Sequence, residues 1–429
     1  MEHHIPEKTN IAFYWFYLVG FVDLMAASMI VPLLPLHVEN LGFSPSVVGL
    51  FGSIYGATQL FSSPWIGHLG DRDGRISVLL RCLFLSSAVY LSSSFFNNEI
   101  FFLLIARVLL GMFKHTQDLC RNCLADAALA SKRTKVIGFF NSLSSIGVII
   151  GPSISGLISN KVGLDKTIPI CFVLCGCLFA LNFCIVRLAH WLNPKARQDV
   201  EDDVITATHD DYDVINATHD GNSSDKNLGG FFQELRKINW NVHASLLLSR
   251  LLLSFAVILY RSSFVLGLKH FYPDMSSAWI SVLISYNGFV GFIVGFSVSS
   301  LFDHKYYAGN EEKLQMHAIV FVVVGLLLVT LAPSIPFLMV SLVVLTIGTA
   351  TSRACEVALT TKVARPNEVG KLLGMSSSMV SVARSAGPIM AGLLQEVSFA
   401  LPAYFATFIS IIGLWVFHSK VYCLKRSQE

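Results

Sequence analysis

Ionisable side chains set inside long apolar runs are the residues of this sequence that could do chemistry. Arg107, Lys114, Asp118 and Arg121 are spaced seven, four and three apart, so on one continuous helix they share a face. Asp23 stands in the first apolar run, Arg250 and Arg261 in the seventh, Arg353 and Glu356 in the tenth, and Arg384 in the eleventh. A charge at the centre of a bilayer costs at least ~2.5–3.5 kcal/mol, so such groups face protein or water. Lys114 with Asp118, and Asp118 with Arg121, have the spacing to neutralise each other, which leaves Arg107 over. Asp23 is the candidate for a carboxylate that takes up and releases a proton in a working cycle. A fixed ion pair with one of the arginines is the competing reading. His115 and His317 are candidates for relaying protons. The tally is seven cations against three anions. If these groups line one cavity, its field favours an anionic or carboxylate-bearing solute.

Such groups need elements that can hold them in a membrane, and the composition supplies these. Of 429 residues, 53% are hydrophobic and 14% charged, where an average soluble protein has about 25% charged. A net charge of +3 gives no footprint for nucleic acid. Spanning takes about 20 apolar residues, and twelve segments are expected, at roughly 11–38, 47–69, 76–96, 100–127, 136–159, 167–190, 243–268, 276–301, 315–332, 336–361, 371–395 and 400–421. The first is too long for a signal peptide, and no cleavage-site order precedes it. The expectation is an all-α membrane protein of two pseudo-symmetric six-helix bundles, residues 1–190 and 243–429, joined by 191–242.

The joining stretch is acidic from Asp199 to Asp225, with a ten-residue tandem beginning at Val204 and Val214. It reads as a solvated linker. After it, Phe231, Phe232, Leu235 and Ile238 fall on one helical face, the pattern of a short helix on the membrane surface. Basic residues gather in the even-numbered turns: Arg72 and Arg75; Lys132, Arg133 and Lys135; Lys305 and Lys313; Lys362, Arg365 and Lys371. That bias predicts cytoplasmic termini and a cytoplasmic linker. The nine cysteines fall in or beside apolar runs and read as packing residues, Cys120-x-x-Cys123 included. No metal-ligand set, cofactor motif or nucleophile with its base is visible, so an enzyme is not expected.

Gly138, Ser142, Ser145, Gly151, Pro152 and Gly156 recur 236 residues later as Gly374, Ser378, Ser381, Gly387, Pro388 and Gly392. A duplicated six-helix unit leaves such a trace. Gly147, Gly151 and Gly156, with Gly387 and Gly392, allow close helix contact, and Pro152 and Pro388 each remove a backbone bond. These are expected packing and gating positions. The polar stretch from Gly67 to Arg75 reads as a tight turn on a membrane face. Gly70 and Gly74 permit the reversal there, and Asp71, Arg72, Asp73 and Arg75 fix charge at the surface.

As spaced, Gly67-x-Leu69-x-Asp71-Arg72-x-Gly74-Arg75 resembles the loop between helices 2 and 3 of the major facilitator superfamily, with Ile76 where that family usually carries a second basic residue. Arg107-x-x-x-Gly111 resembles the family's helix 4 motif. The Gly147 to Gly156 run, with Ser155 replacing one glycine, and Pro32-Leu33-Leu34-Pro35 look like the drug:proton antiporter branch. Phe113-Lys114-His115-Thr116 and Val136-Ile137-Gly138-x-Phe140-Asn141 are similar to an orphan animal member of the family.

The resemblance implies alternating access between two six-helix bundles and a role for Arg107 in proton handling. It also implies a latch: Asp71 faces the start of helix 11, and Arg75 pairs with Asp126. The second copy of the latch loop, Phe302-Asp303-His304-Lys305, keeps the acid without the glycines. The expectation is a monomeric secondary transporter of a small organic solute, coupled to protons. A uniporter of the same fold, and a non-transporting membrane sensor or adaptor that docks partners on the acidic loop, are the alternatives.

Overall fold

A computed structural model describes residues 8–127, 133–192, 240–307, 310–363 and 369–426. The expected acidic linker and surface helix lie outside them. A lipid surround offers no partner to backbone groups, so apolar runs of this length fold as helices that bond internally. The first half holds α1 (Lys8–Ile30), α2 (Leu33–Asn40), α3 (Pro45–Asp73), α4 (Arg75–Phe95), α5 (Ile100–Phe113), α6 (Thr116–Ala127), α7 (Arg133–Val162) and α8 (Leu164–Leu192). The second holds α9 (Trp240–Phe271), α10 (Ser277–Asp303), α11 (Glu311–Thr330), α12 (Ile335–Val363), α13 (Val369–Val397) and α14 (Leu401–Arg426).

Two crossings are broken: α1 with α2 forms the first span, and α5 with α6 forms the fourth. The described helices therefore make twelve crossings. Ten are long and apolar enough to span a bilayer. The other two, α3 and α13, have 29 residues each, about 43 Å at 1.5 Å per residue. They pack along each other between the halves, so much of their surface meets protein and need not be apolar.

Each half has its own core. One gathers Leu33, Leu79, Leu83, Leu124, Phe140 and Phe179; the other gathers Leu259, Leu266, Ile280, Ile319 and Leu326. The break at Val31–Pro32 redirects α2 so that Leu36, 4% exposed, joins the core of the second half.

The duplicated glycine motif does the same work twice. A Cβ on Gly151 would strike the Met25 carbonyl of α1, and one on Gly387 would press on Ile258 of α9, each within its own half. Five residues on, Gly156 meets Ser281 of α10, and Gly392 meets the Pro45 carbonyl of α3, each across the halves. A small residue at each point brings backbones close enough to pack without lipid between them.

These cross-half contacts sit at one end. There, the Ile389 N–H donates to Ser53 Oγ (2.9 Å), Ser153 Oγ donates to Ser285 Oγ (2.9 Å), and Ser46 donates to Glu396. Toward the other end the same helices expose polar side chains, among them Ser63, Asn141, Ser145, Ser377 and Ser378. The halves close at the end where α3 begins and part at the end where it finishes.

That open end carries the Gly67–Arg75 stretch, and the expected turn is shorter than its sequence pattern. Gly67 and Gly70 remain helical in α3, and the reversal falls on Gly74 alone, at φ +85°. Gly70 instead leaves room for Arg75 and Leu119, which a Cβ would meet at 3.5 and 3.7 Å.

Candidate functional site

The fourth span stops being helical at Lys114, whose backbone turns to φ −82°, ψ 71°. No proline causes this. Polar side chains of α3 cap the backbone groups that the break releases. Ser62 Oγ donates to the Gly111 carbonyl (3.1 Å), and Gln59 Nε2 donates to the Lys114 carbonyl (3.3 Å). Ser62 Oγ also lies 2.8 Å from His115 Nε2, holding an imidazole that is 2% exposed. Gly111 itself is packed on Tyr55 and Thr58 of α3, with no room for a Cβ. Unsatisfied backbone at membrane depth is tolerated only where protein groups meet it, as they do here.

The break sends Lys114 toward α1. Its Nζ is 3.3 Å from Asp23 Oδ2, with side-chain exposures of 9% and 0%. It also lies 5.7 Å above the centre of the Phe179 ring, a cation–π contact from α8. Gln117, on the first turn of α6, donates from Nε2 to Asp23 Oδ2 (3.0 Å) and to the Gly20 carbonyl (2.8 Å). Asp23 Oδ1 is buried without a hydrogen bond among the described residues.

This corrects the single-face reading of Arg107, Lys114, Asp118 and Arg121. They stand on two helices separated by a turn, and Lys114 pairs with Asp23 rather than with Asp118. Asp118 pairs with Arg121 (2.7 Å), as the i, i+3 spacing allows, and Arg121 Nε adds a bond to Asn141 Oδ1 on α7 (3.0 Å). His115 Nδ1 lies 4.0 Å from Asp118 Oδ2. Arg107 is half-buried, in electrostatic reach of Tyr55, Tyr90 and Cys175.

The second half adds one acid. Glu356 Oε2 of α12 lies 3.1 Å from Arg250 Nη1 of α9, with exposures of 12% and 15%. The distance is that of an ion pair, yet the Arg250 N–H groups at Nη1 and Nε meet no acceptor in hydrogen-bond geometry among the described residues. Arg261, Arg353 and Arg384 are exposed on helices that surround the opening. Arg353 Nε donates to the Thr349 carbonyl (3.3 Å), and Arg384 lies in electrostatic reach of Asp118. Among the described residues, Asp23, Asp118 and Glu356 each have one lysine or arginine partner, with His115 also beside Asp118, while Arg107, Arg261, Arg353 and Arg384 meet no carboxylate at ion-pair distance.

At the open rim, Arg75 forms an ion pair with Asp126 of α6 and lies 3.3 Å from Asp71. The Asp71 side chain is 70% exposed. Arg72 lies 3.8 Å from Asp73, and Arg81 donates to Asp73 at 2.6 Å. That hydrogen bond holds the Asp73 carboxyl below the usual carboxylate range. His317 sits apart from the interior charges, bonded through Nδ1 to Tyr307 Oη (2.9 Å).

Spacing did not single out Gln59, Ser62 or Gln117. A helix break without proline or glycine has no local signature, and these three matter only because of it. Their trace in the sequence is the presence of amides and hydroxyls inside apolar runs.

The Major Facilitator Superfamily model matches residues 16–334. The chain is 24% identical over 410 residues to multidrug resistance protein 1 of Bacillus subtilis (strain 168), covering 95% of this chain and 96% of that one. It is 23% identical over 397 residues to quinolone resistance protein NorA of Staphylococcus aureus (strain MRSA252), with 92% of each covered. Among solved structures, the nucleoside transporter NupG superposes with a TM-score of 0.71 at 15% identity, over 95% of this chain and 98% of its own. The human organic anion transporter MFSD10 (TETRAN) gives 0.61 at 18% identity, over 96% and 100%. At these identities the structural likeness speaks for the fold alone.

Proposed function

Because this chain belongs to the Major Facilitator Superfamily, we propose that it is a monomeric secondary active transporter that exchanges a small organic anion by alternating access, coupled to protons. Asp23 is the coupling group in this reading. The observation that carries it is the half-satisfied carboxylate: one oxygen held by Lys114 and Gln117, the other buried and bare. A proton arriving on Oδ1 releases Lys114 from its ion pair. Lys114 sits at the break in the fourth span, so that release changes the charge beside a part of the bundle not braced by continuous helix.

The solute class rests on the charge balance. Arg261, Arg353 and Arg384, which meet no carboxylate at ion-pair distance among the described residues, make the opening electropositive, with half-buried Arg107 adding to the charge, and low dielectric walls intensify the field. The basic turns make the open end cytoplasmic, so the conformation is inward-facing. Gly67, Asp71, Arg72, Gly74, Arg75 and Asp126 then form the cytoplasmic latch, engaged fully when the halves close at that end. The division into 1–190, 191–242 and 243–429 belongs to the same reading. Multidrug resistance protein 1 and NorA, matched along most of their length, favour the antiporter branch.

The test is a thermal-shift screen of purified protein against anionic, neutral and cationic metabolites at two pH values, since a bound ligand stabilises the fold by mass action. The expected outcome is an anionic hit that Arg384→Ala or Lys114→Ala abolishes. A cationic hit that both variants retain would overturn the anionic reading. Flux of the hit into proteoliposomes, unchanged by collapse of the pH gradient, would favour a uniporter over proton coupling.

A further inference from the structure

The two halves each carry one buried ion pair between their first and fourth crossings, and the charges are exchanged. In the first half the acid is on the first crossing (Asp23) and the base on the fourth (Lys114). In the second half the base is on the seventh crossing (Arg250) and the acid on the tenth (Glu356). The second pair also lies nearer the open end: Glu356 is seven residues before the end of α12, and Arg250 is ten after the start of α9.

A cavity of about 20 Å³ opens beside this pair, lined by Arg250, Glu356, Gln315, Ser376, Thr360 and His243 among others. That is room for one water, which needs two to four polar partners. Among the described residues, Arg250 Nε and Nη1 and Gln315 Oε1 are buried atoms with no hydrogen bond, and they supply donors and an acceptor for it. Gln315 Nε2 donates to Ser352 Oγ at 3.0 Å, one helical turn before Glu356 on α12. A fixed structural pair presents its guanidinium squarely to the carboxylate and satisfies the remaining donors. Here the guanidinium is at ion-pair distance, its Nε and Nη1 meet no acceptor among the described residues, and Arg250 lines the cavity.

We propose that the second half carries a proton-binding site of its own: the Glu356 carboxylate, set against Arg250 and hydrated by one water held between Arg250, Gln315 and Ser376. A proton entering from the open end bonds to a Glu356 oxygen, and Arg250 keeps its own protons and turns to the water. Among the described residues, the charged and titratable groups around Glu356 are Arg250 and His243 on α9, with Arg353 and the Cys355 thiol on its own helix. Gln315 of α11 and Ser376 of α13 face it without charge. The site is independent of which solute the protein moves and of the role given to Asp23.

Infrared difference spectra of the reconstituted full chain, taken between mildly acidic and mildly alkaline pH, test this. A weakly hydrogen-bonded, protonated carboxyl gives a band separate from those of exposed acids. The expected result is loss of one such band in Glu356→Gln and its retention in Asp23→Asn. A wild-type spectrum unchanged by Glu356→Gln, or a band lost only in Asp23→Asn, would overturn the proposal. Isotope labelling makes the reading independent of any variant's folding. Carboxyl-labelled glutamate must displace the band in wild-type protein; displacement by labelled aspartate alone would also overturn it.

Discussion

Lys114 and Asp23 sit 3.3 Å apart on different crossings, and they meet at the point where the fourth crossing loses its helix. Neither member tolerates loss of the other, because each is almost completely withdrawn from solvent. Lys114→Ala leaves Asp23 with Gln117 as its remaining partner, and stability should fall by about 3–5 kcal/mol. The double variant Lys114→Ala with Asp23→Asn should lose less than the sum of the singles, because no uncompensated charge remains. Thermal unfolding of the four proteins in detergent measures this. Strict additivity would mean that the two groups are not coupled.

The duplicated glycines separate packing within a half from packing between halves. Gly392→Val places its side chain on the Pro45 backbone of the other half, a contact made only when that end is closed. Overpacking there should disfavour the closed end by about 1–3 kcal/mol, roughly a 5–150-fold change in population. Spin-label distances across the Pro45 and Glu396 end report it. Gly151→Val meets Met25 of its own half and should lower the melting temperature with no such shift.

The caps on the broken span should matter more than their exposed neighbours. Ser62→Ala removes the donor to the Gly111 carbonyl and the partner of a buried His115, and leaving buried groups unsatisfied costs about 1–3 kcal/mol. Ser63→Ala removes one bond from an exposed hydroxyl to the Gln59 carbonyl and should change stability within about 0.5 kcal/mol. Equal effects in the two variants would mean that the break is not held by Ser62.

The rim pairs should act on conformation rather than on folding. Arg75 to Asp126 and Arg75 to Asp71 are partly exposed, and such pairs stabilise by about 0–1 kcal/mol. Asp71→Asn and Asp126→Asn should leave the melting temperature nearly unchanged while altering the balance between the two facing states. Accessibility of single cysteines placed on either side of the bundle reads that balance. Failure of both variants to accumulate in the membrane would point to plain stability and against a latch.

Twelve crossings, the duplication and the positions of the interior charges were legible from the residues. Length and apolarity decide whether a segment leaves water, and a repeat of Gly-Pro at constant offset survives because close backbone approach admits nothing larger. Charge positions are equally plain, since each is a costly exception in an apolar run. Pairing was not legible. Asp118 and Arg121 are neighbours on one helix and follow from spacing alone, but Lys114 has an acid four residues away in sequence and still pairs with Asp23, ninety-one residues distant. The helix break that redirects it is stabilised by α3 through Ser62 and Gln59. The cavity beside Arg250 is lined by Gln315 and Ser376 from two further helices. Local sequence determines which charged groups lie within the spans, because that follows from the chain's own hydropathy. Which buried groups meet is decided by the neighbouring helices, because a carboxylate or a broken turn can be satisfied only by what those helices bring within reach.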